Sequence, residues 1–116
     1  MRTILAILAF GLFSLTSVAQ ADYQMCGTAD GVELCLTMNT SNRTANVVAC
    51  PLGATAASDC LIFTGSFTAT GSGLSTVITF VNGTDGTRTN FYHQGYDYYR
   101  FTADNGVVWT LYLDAL

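Results

Sequence analysis

Lysine is absent from this chain, and glutamate, histidine, proline and tryptophan occur once each, at Glu33, His93, Pro51 and Trp109. Clustered positive charge is what a phosphate backbone requires, so nucleic acid is excluded as an expected partner. A single glutamate gives little scope for paired-carboxylate hydrolysis: Glu33 would need an aspartate from a distant strand, and its expected role is an outward strand residue. A single histidine limits acid–base chemistry to His93 and Asp97 in HQGYD, with Ser66, Ser72 or Ser75 as conceivable nucleophiles. No G-x-S-x-G elbow accompanies them, and a lone loop histidine is ordinarily structural. Asn82, Thr84 and Asp85 of NGTDG are too few for a calcium loop and are common turn formers. No enzymatic activity, cofactor or metal is therefore expected.

Long apolar runs are also missing, except at the start. MRTILAILAFGLFSLTSVAQA has one early arginine, an apolar run from Ile4 to Leu15, and an A-x-A signal at Ala19 and Ala21. That run is short for a membrane span, which takes about 20 apolar residues, and we read 1–21 as a cleaved secretory signal, the alternative being an uncleaved anchor. The remaining 22–116 form a single expected domain. It carries three arginines against eight carboxylates, a net charge of about −5 by ordinary side-chain ionisation. Such a surface steers cationic partners toward it.

What is present is cysteine, in an even number. Cys26, Cys35, Cys50 and Cys60 all follow the signal, and in a short exported chain this pattern means two disulfides rather than zinc, whose close C-x-x-C pairs are missing. Asp30-Gly31 is a strong type I′ hairpin signal. Counting outward pairs Ala29 with Val32, Thr28 with Glu33, Gly27 with Leu34, and Cys26 with Cys35. The fourth pair is non-hydrogen-bonded, with α-carbons about 4.5 Å apart, at the short end of what a disulfide spans. Cys26–Cys35 is thus preferred, leaving Cys50–Cys60 to close CPLGATAASDC.

Short alternating strands and turn dipeptides fill the rest, with no helical periodicity. VELCLTM (32–38), ANVVA (45–49), LIFTGSFTAT (61–70) and LSTVITFVN (74–82) read as strands, the last with both faces partly covered. TNFYHQGYDYYRFTA then leads through Asp104-Asn105-Gly106 into VVWTLYL. A three-residue loop there pairs Phe101 with Trp109 and Tyr99 with Leu111, placing Trp109 in the core and Arg100, Thr110 and Tyr112 on the other face. Seven or eight strands in this length predict an all-β antiparallel sandwich or small barrel. Asn39, Asn42 and Asn82 begin N-x-S/T triplets in turns, a weak glycosylation signal.

DGVELCLTM and YRFTADNGVVWTLYL resemble the bacterial periplasmic inhibitors of C-type lysozymes, small exported acidic β-domains with an early cysteine and an aromatic carboxy-terminal hairpin. The inhibitory Ser-Gly-x-x-Tyr loop of that family is not found here, so no site residue carries over.

The expected function is a secreted or periplasmic recognition module binding a protein or glycan, without stable membrane insertion once the signal is removed. The alternatives are an inhibitor or immunity-type protein that blocks a cationic secreted enzyme, and a structural surface protein with no small ligand. The expected working surface is NFYHQGYDYYR (90–100), where six of the aromatic residues gather if the following Phe101 is counted. Alternation puts Tyr99 and Phe101 inward. Tyr98 and Arg100 then face outward beside the expected loop residues Tyr92, His93 and Tyr96, and these five are the candidate binding residues. Tyrosine and arginine offer rigid contact area with polar tips, the composition enriched at binding hot spots.

Overall fold

The computed structural model of this protein describes residues 21–116; the expected signal segment falls almost entirely outside them. Eight strands follow one another: β1 Tyr23–Ala29, β2 Val32–Asn39, β3 Thr44–Pro51, β4 Leu61–Thr70, β5 Val77–Asn82, β6 Arg88–Gly95, β7 Tyr98–Thr102 and β8 Val108–Ala115. Each pairs antiparallel with its neighbours in sequence, and β1 returns to β8, so the sheet closes into an up-and-down barrel. Closure decides between the two all-β architectures that the sequence allows, because a sandwich would leave free edges where Tyr23–Cys26 and Tyr112–Ala115 are paired.

The turn chemistry fixes the register. Asp30 and Gly31 both have positive φ, 52° and 76°, as a type I′ turn requires, and the β1–β2 ladder runs from Ala29↔Val32 through Cys26↔Cys35 to Tyr23↔Met38. The facing cysteines are bonded, with α-carbons 4.2 Å apart, and Cys50–Cys60 closes the β3–β4 loop. The last hairpin pairs Phe101 with Trp109 and Tyr99 with Leu111. Its loop is held by Ala103 and Val107, with Gly106 at φ 86° and the Val107 amide donating to Asn105 Oδ1.

Two departures from the sequence reading concern strand limits. The strand expected from residue 74 starts at Val77, because Gly71 and Gly73 take positive φ and Gly73–Ser75 forms a 3-10 turn, stapled by Ser75 Oγ donating to the Ser72 carbonyl. Leu74, expected as the first residue of that strand, is therefore 72 % exposed. The aromatic segment 90–101 divides into β6 and β7 around Tyr96-Asp97, so Tyr92 and His93 lie in a strand rather than a loop.

Alternation turns one face of every strand inward. Met25, Leu36, Met38, Phe91, Tyr99, Trp109 and Leu111 pack into one core cluster, with Trp109 buried as expected. The outer face carries hydroxyls and amides, with Thr64 donating to Asn46 Oδ1 and Thr79 to Asn90 Oδ1. Glu33 points outward by register, as expected, yet is buried. On the outside of β3, Val48 and Cys50 are covered by Ala54, Ala57 and Cys60, so the disulfide-closed loop lies against the barrel wall.

Side-chain acceptors hold the ends of the barrel. Asp22 takes hydrogen bonds from both the hydroxyl and the amide of Thr40, tying the start of β1 to the β2–β3 turn, while the Leu116 amide donates to the Asp22 carbonyl. Asp85 Oδ1 accepts from the amide and hydroxyl of Thr87 in the β5–β6 turn. These bonds favour the ionised carboxylates and hold both aspartates below their ordinary 3.8, the Thr40 hydroxyl being the largest cause at Asp22 and the Thr87 amide at Asp85.

Gly27 sits where β1 closes against β8: a Cβ there would stand 2.0 Å from the Thr110 carbonyl oxygen and 2.8 Å from its carbon. Backbone cannot yield as a side-chain end can, so Gly27→Ala is expected to lower stability by about 1 to 3 kcal/mol or more, measured by urea unfolding. Acid supplies a second measurement. Groups with depressed native pKa values contribute stability that is whole above about pH 5 and is lost as pH falls through those native values. Unfolding midpoints should therefore decline below pH 4, and a Thr40→Val, Thr87→Val double variant should show a shallower decline.

Candidate functional site

Outward positions of β6, β7 and β8 carry three exposed tyrosines, Tyr92, Tyr98 and Tyr112. Tyr92 pairs with Arg100 across β6–β7, and Tyr98 pairs with Tyr112 across β7–β8. Tyr92 is half-exposed, and the rings of Tyr98 and Tyr112 lie 4.4 Å apart on the surface. Hydrogen bonding to Tyr112, then its charge, slight desolvation and the nearby Asp97 carboxylate, raises the Tyr98 phenol above its usual range. The Tyr92 hydroxyl is oriented through Asn90, whose amide donates to it while its Oδ1 accepts from Thr79.

The tip of the β6–β7 hairpin is built against backbone preference. The pairing register shifts between His93 and Gly95, Gly95 sits at φ 128°, and Tyr96 adopts a left-handed φ of 49°. A bulky residue there is uncommon and costs on the order of 1 kcal/mol. Tyr96 is nevertheless 93 % exposed, so burial of its ring gives nothing back.

His93 holds this tip in place. Its ring packs against Tyr99 at 4.9 Å, Nδ1 lies 2.8 Å from the Gly73 carbonyl oxygen, and Nε2 lies 2.6 Å from the Tyr96 carbonyl oxygen. Its amide donates to Thr76, and the Leu113 amide donates to Asp97. Both ring partners are acceptors, and a neutral imidazole has one N–H, so both contacts are full hydrogen bonds only when the ring carries two protons. Burial first, then the Asp97 charge, raises the Tyr99 phenol.

The five candidate residues thus separate by role. Tyr92, Tyr98 and Arg100 share an outer face and Tyr96 crowns it, whereas His93 lies on the inner side as the brace. Tyr112 belongs with the outer group and was not among the five. The Tyr99–Leu111 register, which follows from the three-residue loop, places Tyr112 opposite Tyr98, and that was the signal available. Beside this face an open groove of about 580 Å³ is lined by Arg88, Asn90 and Tyr92 of β6 and by Thr102 and Asp104.

Acid–base machinery is not assembled around His93, since its nitrogens meet backbone carbonyls and Ser75 Oγ is spent on Ser72. Among the described residues, the one cluster with metal-ligand spacing is Cys26, Glu33 and Cys35, and its two sulfurs are bonded to each other. Asn82 Oδ1 accepts from the Thr84 amide, as an ordinary turn residue does. Of the glycosylation triplets, Asn39 is buried and its Oδ1 is engaged by Ser41, whereas Asn42 is exposed.

No protein-family model, curated protein or solved structure matches this chain.

The brace predicts a local effect. His93→Phe keeps a ring against Tyr99 but removes both nitrogen contacts, and is expected to cost about 1 to 3 kcal/mol. Amide exchange at residues 94–98 should accelerate well beyond that of β2 and β3. Equal acceleration everywhere would mean that His93 supports the whole barrel, not its tip.

Proposed function

We propose that the protein is an exported, non-enzymatic recognition module that holds a protein partner through the outer face and tip of the β6–β7 hairpin. The observation that carries this reading is Tyr96, an almost fully exposed aromatic residue in a left-handed conformation on a braced turn. Strained residues on a rigid support cluster at binding sites, where preorganisation reduces the entropy lost on association. Tyr92, Tyr98, Tyr112 and Arg100 surround it with flat rings and polar tips, a hot-spot composition.

Acidic charge favours a cationic partner. Asp97 sits in the turn itself, and Asp22 lies at the same end of the barrel. Two intramolecular disulfides suit an oxidising compartment, and with the expected signal this supports a secreted or periplasmic protein. A blocker of a cationic secreted enzyme, such as a C-type lysozyme, fits the same surface, with Tyr96 as the projecting residue. The glycan reading has its own support in the groove beside Tyr92 and Asn90, where a sugar could stack on one ring and hydrogen-bond to the amide.

The decisive variants are Tyr96→Gly and Tyr98→Ala. Glycine accepts the left-handed conformation without cost, so Tyr96→Gly should keep or raise the melting temperature while weakening the partner complex at least roughly tenfold, or about 1.4 kcal/mol. The partner is to be sought with immobilised wild-type protein in the native secretome, and inhibition of a C-type lysozyme is to be assayed directly. Unchanged affinity in the stably folded double variant would overturn the protein-binding reading. Loss of chitooligosaccharide binding in Tyr92→Ala alone would move the function to the groove.

A further inference from the structure

The two halves of the barrel interior are filled differently. Toward the end that holds the termini and the Tyr96 turn, Met25, Leu36, Met38 and Leu111 are buried together in the core. Toward the opposite end the interior opens. Phe63 pairs with Val47, so its ring points into the barrel, yet it is 41 % exposed. Phe63, Phe80, Phe91 and Phe101 line a pocket of about 330 Å³ in this mouth, within the range of small-molecule sites. An eight-stranded barrel has just enough interior for side chains to fill or for one small ligand to occupy.

The loop that could plug the mouth is held elsewhere. Residues 52–60 connect β3 to β4 at this end, but Ala54, Ala57 and Cys60 pack on Val48 and Cys50 outside the wall, and no residue of this loop lines the pocket. The Cys50–Cys60 bond keeps the loop there.

Asp85 is the one charged side chain lining the pocket among the described residues. The Thr87 amide and hydroxyl both donate to its Oδ1, which orients the carboxylate at the rim. The Thr89 position, opposite Phe80, places a hydroxyl among the rings.

We propose that this mouth is a binding site for a small organic cation, an amine or quaternary ammonium group carrying a compact apolar body. The apolar body enters among the four phenylalanines, and the cationic head stays at the rim, where ring faces and the Asp85 carboxylate both attract it. Cations within about 6 Å of an aromatic face are attracted by its quadrupole, more strongly when desolvated. A neutral apolar ligand would leave Asp85 unused, and an anion would be repelled by it. The mouth lies at the opposite end of the barrel from the Tyr96 turn, although it borders the groove beside Tyr92 through Thr87, Thr89 and Phe101.

The test uses the mature, oxidised protein and benzyltrimethylammonium as the probe, with toluene and phenylacetate as the neutral and anionic counterparts. Titration followed by NMR should perturb amides of residues 80–91 and the Phe63 and Phe101 rings, saturating with a Kd of about 1 mM or tighter. Phenylacetate should not bind. Asp85→Asn keeps an acceptor for Thr87 and should weaken the cation roughly tenfold, an effect that falls as salt is raised. Thr89→Phe fills the mouth and should abolish binding, with toluene binding lost as well. No saturable binding to the folded protein, equal binding of phenylacetate, or unchanged affinity in Asp85→Asn would each overturn the proposal, as would perturbations confined to residues 92–100.

Discussion

Pairing of Tyr23–Cys26 with Tyr112–Ala115 joins the two ends of the chain and makes every other strand an interior strand. Without that contact the sheet has two open edges, and the inward faces of β1 and β8 lose the opposite wall against which Met25 and Leu111 are buried. The geometry leaves little tolerance: β1 runs so close to the Thr110 carbonyl that residue 27 must lack a side chain. The core, the hairpin brace and the open mouth all presuppose a closed cylinder, because each is made by side chains from strands that only closure brings face to face.

Much of this was legible from turn chemistry. Asp30-Gly31 dictates positive φ at two positions, and the register that follows places Cys26 opposite Cys35 without any tertiary information. Asp104-Asn105-Gly106 does the same for the last hairpin and correctly buries Tyr99 and Trp109. Where glycine serves a purpose other than a two- or three-residue turn, the reading failed. Gly71 and Gly73 build a 3-10 corner that cuts short the strand expected from residue 74. Gly95 opens a bulge that ends β6 and reverses the chain at Tyr96-Asp97. Closure itself was not legible, since alternation is the same in a barrel and a sandwich, and only the pairing of the first strand with the last distinguishes them.

The candidate surface was partly legible for the same reason. Alternation separates Tyr98 and Arg100 from Tyr99 and Phe101, but it says nothing about a bulge, and the position of His93 depends on one. Composition marked His93 as a potential contact residue; its two backbone partners come from Gly73 and Tyr96, one of them twenty residues away, and only the fold brings them together. The mouth was invisible to sequence reasoning altogether. Phe63 reads as one more inward aromatic residue, and whether its neighbours fill the space around it depends on the volume of the opposite wall.

The connectivity of the barrel also orders its assembly. Seven of the eight strand pairings join sequence neighbours, and the two disulfides span separations of only 9 and 10 residues. Both bridges can therefore form within local hairpins or loops while the chain is still an open, growing sheet, at small loop-closure cost. Only the β1–β8 seam demands that distant ends meet. Until it does, the meander displays two unpaired edges of the kind that template aggregation, so the vulnerable interval of this protein is the wait between oxidation and ring closure, which ends when the last strand finds the first.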